Sequence, residues 1–194
     1  MKKTELIFAT LSIIALGMNF LLIPHCGIFT TLTLMSLSMI YFYFGFAFFN
    51  EINLRAIFAK DSYKDISLLR IIGAIGAGIA LSLTIIGLLF TFNSWSGSSV
   101  SLGAGLFGLL IVTIIGLVRY SKNKSKFYIQ IFKRVAIIGA LGLFFFLTPK
   151  TTWVEFKYRN HADYVKAYKE AVANPDNKAL WDKVDEERKK IYTK

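Results

Sequence analysis

The chain contains little cysteine and little proline, and both shortages limit its possible structures. Cys26 is the only cysteine among 194 residues, so an internal disulfide is excluded and the cysteine content says little about redox compartment. The three prolines, Pro24, Pro149 and Pro175, each fall where the hydropathy pattern predicts a turn or a helix end. Long helices between these points are therefore the expectation.

Charge is absent from two long stretches, 6–50 and 71–118, although charged residues are frequent elsewhere. Inside hydrocarbon every backbone N–H and C=O must be bonded within the protein, so each stretch predicts two spanning helices joined by a short turn. A soluble domain that is 55% hydrophobic would mix polar residues through its helices at a regular period. The pattern therefore predicts an all-α, multi-pass transmembrane helical bundle.

We predict a transmembrane domain over residues 1–149. Its five spans are 6–23, 28–49, 71–92, 100–118 and 130–148. The fifth is the weakest, because the uncharged run before Pro149 covers only about 21 Å of helix against a hydrocarbon core of roughly 30 Å. A helix that begins near Phe127, with Lys133 and Arg134 reaching toward the headgroups, would span; an interfacial or re-entrant segment is the alternative.

The basic residues predict the orientation of the spans. Lys and Arg lie at the N-terminus and in the loops 50–70 and 119–134, whereas the turns 24–27 and 93–99 carry none. By the positive-inside rule the N-terminus and both loops are cytoplasmic, and the tail is periplasmic if all five segments span. These membrane flanks account for most of the net charge of +11 without nucleic-acid binding. The first span imitates a signal peptide, but its length favours a retained helix over cleavage.

The two uncharged stretches look like copies of one helical hairpin. Shifting the sequence by about 70 residues aligns Phe20 with Phe90 and Gly27 with Gly97. Internal duplication is one explanation, and the apolar, turn, apolar pattern common to all membrane hairpins is the other.

The second hairpin turn carries a family resemblance. Residues 85–97, IIGLLFTFNSWSG, resemble the hairpin turn of GldL, the inner-membrane protein of the gliding-motility and type IX secretion motor, in which a Phe-rich helix end runs into His-Trp-Pro-Gly. Trp95 and Gly97 match, while Ser94 and Ser96 replace the histidine and proline. With Pro24 and Gly27 of the first hairpin, these two residues form the predicted turn motif. The resemblance implies a bacterial inner-membrane location and a place in a membrane complex.

The same family ties its motor role to an acidic residue inside the membrane. Here Glu5 and Glu51 lie only at the edges of the uncharged stretches, so the sequence predicts that no carboxylate is intramembrane. Buried ionisable groups are costly and usually mark ion pathways. Their expected absence argues against a proton-driven motor subunit and favours an accessory protein.

Small residues recur at spacings of four on the third and fourth helices, where they allow close helix packing. The predicted packing residues are Gly73, Ala77, Gly78, Ala104 and Gly108. Packing within the chain's own bundle is favoured over a gating or dimerisation face.

No residue set predicts catalysis, a cofactor or a metal site. Residues 103–108 fit G-x-G-x-x-G, but they lie in a predicted span and follow no strand. His25, Cys26 and His161 make a poor zinc site without a fourth ligand. The aromatic run 41–49 indicates an interface belt rather than a quinone surface. We therefore predict that the protein is not an enzyme.

Residues 150–194 have the composition of a soluble segment. Asn160 can cap a helix over 161–173, and a second helix with Pro175 at its start is predicted to run to about Ile191. Both carry a narrow apolar stripe, so the tail reads as a small helical hairpin that docks on a partner or on the membrane domain, or as a solvated tail.

These features favour a scaffold or accessory subunit whose partners are the lipid bilayer and other membrane subunits or a second copy. A small channel or solute carrier is the alternative. It would use the polar residues within the spans, which are Asn19, Ser36, Ser38, Ser82 and Thr84. Helix-to-helix hydrogen bonds would explain these residues equally well.

Overall fold

A computed structural model describes residues 2–21, 23, 26–64 and 66–192. Within these ranges the chain forms eight α-helices and no strand, which confirms the all-α prediction. The helices are α1 (Lys2–Phe20), α2 (Cys26–Phe49), α3 (Leu68–Phe92), α4 (Ser98–Lys122), α5 (Lys126–Leu147), α6 (Lys150–Lys157), α7 (Ala162–Ala173) and α8 (Lys178–Tyr192). They form two units, 1–147 and 148–194, which are described separately.

Helices α1 to α5 have the length and composition of membrane spans, so the chain is a membrane protein. The fifth helix begins at Lys126, earlier than the predicted 130, and its 22 residues cover about 33 Å. The early start solves the length problem at Pro149, because two further helical turns precede the uncharged run. Lys133 is exposed on this helix, whereas Arg134 is partly buried.

Helix α3 lies at the centre of the first unit and packs on α2, α4 and α5, while α1 packs on α2. Small residues permit these contacts. A Cβ atom added to Gly78 of α3 would lie 2.5 Å from the carbonyl oxygen of Tyr41 on α2. A Cβ atom added to Gly45 of α2 would lie 2.9 Å from the Cα of Gly78. Backbone therefore meets backbone at this crossing, as small residues allow in membrane bundles.

Glycines make the contact between α3 and α4 equally close. A Cβ atom on Gly87 would lie 2.6 Å from the backbone nitrogen of Leu102, and one on Gly105 would lie 2.5 Å from the backbone nitrogen of Thr84. Real Cβ atoms are not found at such distances, so either helix would have to move. These two glycines set the distance between α3 and α4.

The predicted packing residues divide into two groups in the structure. Ala77 and Gly78 are buried, and a Cβ atom on Gly108 would lie 3.0 Å from that of Ala80. Gly73 and Ala104 are exposed, and a Cβ atom added to Gly73 would meet nothing within 4 Å. The spacing of small residues within one helix does not say which of them faces a neighbour, and this accounts for the difference.

The second unit has its own small core, formed by residues of all three helices. Its buried members are Val154, Tyr158, Tyr164, Ala167, Ala171 and Val184. The sequence predicts two helices here, and the structure adds α6, which begins directly after Pro149 and contributes Val154. Proline ended the predicted fifth span, but it is compatible with a new helix beginning at the next residue.

The start of the last helix also differs from the prediction. Helix α8 begins at Lys178 and not at Pro175. The indole Nε1 of Trp181 donates to the carbonyl of Pro175 at 2.9 Å, and the backbone N–H of Ala179 donates to Oδ1 of Asn177 at 3.1 Å. The proline is therefore part of a turn before α8, to which the Trp181 side chain of that helix is hydrogen-bonded.

Candidate functional site

A buried ion pair joins the first and fifth membrane helices. Nε and Nη2 of Arg134 donate to the two carboxylate oxygens of Glu5, each at 2.5 Å. The two side chains are 17% and 11% exposed, respectively. The bidentate geometry is the one in which Arg and carboxylate pair most strongly.

Further hydrogen bonds complete this cluster. The hydroxyl of Tyr41 on α2 donates to Oε1 of Glu5 at 2.6 Å, and Nη1 of Arg134 donates to the carbonyl of Gln130 at 2.9 Å. The guanidinium also lies 5.4 Å from the ring centroid of Phe49. Burial of an ion pair is tolerated when hydrogen bonds satisfy the remaining groups. We call Glu5, Tyr41 and Arg134 the charge cluster.

The charge cluster lies within the length of the membrane helices. From their far ends at Phe20, Cys26 and Leu147, the helical rise places all three residues about 20 Å along α1, α2 and α5. Glu5 directly precedes the uncharged stretch 6–50, and because α1 begins at Lys2, its side chain is turned into the bundle.

The other polar side chains of the spans mostly bond to neighbouring helices or to their own backbone. Nδ2 of Asn19 donates to Oγ1 of Thr30 at 2.5 Å, joining α1 to α2. Oγ of Ser38 lies 2.8 Å from Oγ of Ser82, joining α2 to α3, and Thr84 donates to the carbonyl four residues earlier. Ser36 is only partly buried. These contacts do not form one continuous polar path.

One buried hydroxyl differs from the rest. Ser12 of α1 is 3% exposed, and its Oγ has no hydrogen-bond partner among the described residues. It lies on the same helical face as Glu5 and Asn19, and successive members of this set are seven positions apart. This regular spacing of polar residues in the sequence indicates a buried polar face on α1, and it is the signal from which a buried position of Glu5 could have been predicted.

The environment of Tyr41 also differs from the one that the sequence predicts. The aromatic run 41–49 predicted an interface belt, and Tyr43 is indeed exposed. Tyr41, in contrast, is 3% exposed and bonded to Glu5. Hydropathy cannot distinguish these two tyrosines, because they differ only in the helix face on which they lie.

The two hairpin turns contact each other. Nδ2 of Asn93, just after α3, donates to Oγ1 of Thr31 near the start of α2 at 3.0 Å. A Cβ atom on Gly27 would lie 3.4 Å from the Oδ1 of Asn93. Pro24 lies outside the described residues. A link between the turns holds the two hairpins together at the end opposite the charge cluster.

The turn residues that carry the family resemblance have structural roles. Gly97 has a φ of +80°, a left-handed conformation that favours glycine, and it directly precedes α4. The Trp95 ring packs edge-on against Phe90 at 5.5 Å, and its indole remains 42% exposed. Both residues therefore shape the turn.

Aromatic rings reinforce the same end of the bundle. Phe92 of α3 packs edge-on against Phe20 of α1 and Phe145 of α5, at centroid distances of 5.9 and 4.8 Å. Helix α1 is thus attached to α5 at both ends, by the rings at one and by the charge cluster at the other.

The second unit presents a mixed-charge surface over its aromatic core. Lys169 pairs with Glu155 and Lys183 lies 3.4 Å from Glu170. Burial raises the pKa of Tyr168 above its ordinary value, so its hydroxyl is neutral at physiological pH. Its ring packs edge-on against Trp181 at 6.1 Å. The unit is thus a folded module rather than an extended tail.

The described residues contain no group of three or more His, Cys, Asp or Glu side chains placed to hold a metal ion. Cys26 is buried and His25 lies outside the described residues.

Comparison with known proteins identifies no relative, since no family model, curated protein or solved structure matches the chain.

Proposed function

We propose that the protein is a scaffold or accessory subunit of a complex in the bacterial inner membrane, a non-catalytic relative of GldL-type proteins. The observation that carries this proposal is the closed charge cluster. Its buried carboxylate is engaged by Arg134 and Tyr41, so the charge stabilises the bundle. An ion-translocating subunit needs a carboxylate that can exchange its proton or ion, and a bidentate arginine opposes this exchange.

The second unit supports the same proposal. A module of under 50 residues with its own aromatic core has more structure than a solvated tail requires. Folded modules attached to membrane domains present rigid surfaces to partners. Its expected partners are other membrane subunits or a second copy of this chain.

The proposal is tested by purifying the full chain from its native membrane in mild detergent and identifying the proteins that copurify at fixed stoichiometry. We expect a stable partner that is lost when residues 148–194 are deleted. A matched variant exchanges only the exposed Lys166 and Lys178 for Gln and should keep the partner. Full retention of the partner by the deletion variant would remove the second unit from the proposed interface, and a chain that purifies alone would contradict the scaffold role.

A small channel or solute carrier is the second candidate, and the buried hydroxyl of Ser12 is the observation that favours it. An unbonded hydroxyl inside a membrane bundle is costly and suits a site for a small polar solute. Flux through pure protein in liposomes that is lost in Ser12→Ala would establish this function and overturn the scaffold. Thr113→Ala is a suitable control, because this hydroxyl bonds its own helix at 2.7 Å.

A further inference from the structure

A lateral cavity of about 390 Å³ lies between α3, α4 and α5 at the end of the bundle that carries the basic loops. Its walls are mainly apolar and include Ile72, Ile115 and Ile131. Ile72 and Ile115 are more than half exposed, so the cavity opens on the side of the bundle that faces lipid. Ligand cavities in proteins begin at about 300 Å³, so a chain of carbon atoms can enter.

Two arginines lie in the wall of this cavity, Arg70 at the start of α3 and Arg119 near the end of α4. The guanidinium of Arg70 lies 4.5 Å from the ring centroid of Phe127, which fixes its position. Its Nε is buried and has no hydrogen-bond partner in the part of the chain that the structure describes. A buried guanidinium N–H without an acceptor is costly, and a bound anion would remove that cost.

The remaining polar groups in the wall also suit an anion. Ser67 and Tyr128 supply hydroxyl groups, and the wall contains no carboxylate among the described residues. Two positive charges beside an apolar cavity that opens to lipid match a ligand with an anionic head and an apolar chain. Basic pockets between membrane helices at a cytoplasmic surface are typical sites for anionic lipid headgroups.

We propose that this cavity binds an anionic phospholipid, with Arg70 and Arg119 on its phosphate and one acyl chain between α3 and α4. The glycines make room for the chain. A Cβ atom on Gly76 would meet nothing within 4 Å, although the residue lies in the cavity wall. The site shares helix α5 with the charge cluster but none of its residues.

The test is native mass spectrometry of the full chain in detergent with added phosphatidylglycerol or phosphatidylcholine of identical acyl chains. We expect phosphatidylglycerol to be retained preferentially and Arg70→Gln/Arg119→Gln to weaken its binding at least about tenfold, since one hydrogen bond to a charged group is worth about that factor. Lys122→Gln/Lys124→Gln removes the same charge from exposed residues outside the cavity and should leave binding unchanged.

A second pair of variants tests the acyl chain. Gly76→Leu adds a side chain in the cavity wall at a position where its Cβ meets nothing within 4 Å, and it should lower lipid retention. Gly17→Leu adds the same side chain at an exposed position of α1, where a Cβ also meets nothing within 4 Å, and should not. Both variants keep Arg70 and Arg119, so a difference in lipid retention between them reports the contribution of the cavity and not that of electrostatic attraction. Thermal unfolding confirms that each variant is folded.

Several results would overturn the proposal. Equal retention of the two lipids, or equal losses in the two double variants, would replace the site with nonspecific attraction. Unchanged binding in Gly76→Leu would exclude the acyl chain from the cavity. Displacement of phosphatidylglycerol by the same concentration of glycerol phosphate would show that a free phosphate, not a lipid, is the ligand.

Discussion

At the residue scale, the main feature is a buried charge pair between two membrane helices. A lone carboxylate within the bundle would cost several kcal/mol, and the cost is offset here because Arg134 and Tyr41 both donate to Glu5. The two charged residues are 129 positions apart in sequence. Their contact connects the first helix to the last one of the bundle.

Arg134→Gln leaves the Glu5 carboxylate buried without its cation. We expect a loss of about 3 kcal/mol of unfolding free energy, the cost of breaking one side of a buried pair. Thermal unfolding in detergent measures the loss. Lys133→Gln is the control, since this neighbouring side chain is exposed and should change stability by less than about 0.5 kcal/mol.

The matching double variant distinguishes pairing from packing. Glu5→Gln/Arg134→Gln removes both charges and keeps two amides able to bond each other, so it should be more stable than Arg134→Gln alone. Strictly additive losses would show that the two side chains contribute independently and that the pair has no coupling energy.

At the scale of elements, α3 organises the bundle because its glycines allow the backbones of α2 and α4 to pack directly against its own backbone. Gly78 meets α2, while Gly87 lies against α4 and Gly105 of α4 lies against α3. Association of helices in lipid depends on such packing, because there is little hydrophobic driving force between apolar helices.

Gly105→Ala places a methyl carbon only 2.5 Å from the backbone nitrogen of Thr84. Since the clash is with backbone, α4 must move, and we expect a loss of about 1–3 kcal/mol by thermal unfolding. Gly17→Ala, at a position with no atom within 4 Å, should leave stability unchanged or slightly raised. Equal effects of the two variants would contradict the role of the α3–α4 contact.

At the scale of the whole molecule, the five candidate spans lead us to expect the two ends of the chain on opposite sides of the membrane. The positive-inside rule predicts that the side with the basic loops between α2 and α3 and between α4 and α5 is cytoplasmic. We therefore expect the tail on the other side.

A reporter that is active only in the cytoplasm tests this topology. We expect activity from a fusion in the loop near Lys122 and none from a fusion after Lys194. A fusion in the turn near Ser96 is the control for the non-cytoplasmic side and should also be inactive. Activity from both Lys122 and Lys194 would reject the fifth span and leave four.

By itself the sequence determined the helical class, the five apolar segments and the expected orientation, because hydropathy and the position of basic residues are local properties of the chain. It also located the apolar stripes of the second unit but not α6, because Pro149 permits a new helix as readily as it ends one. The observed helix bounds differ from the predicted ones by a few residues where a helix continues into charged residues, as α5 does at Lys126.

Only the tertiary structure decided which residues meet. The pairing of Glu5 with Arg134, the choice of Gly87 and Gly105 over Gly73 and Ala104, and the cavity beside Arg70 all depend on helix rotation and on contacts between distant segments. A spanning helix satisfies its backbone hydrogen bonds however it is rotated about its axis, so these bonds do not determine which face meets a neighbouring helix. Packing against the neighbouring helices determines that face.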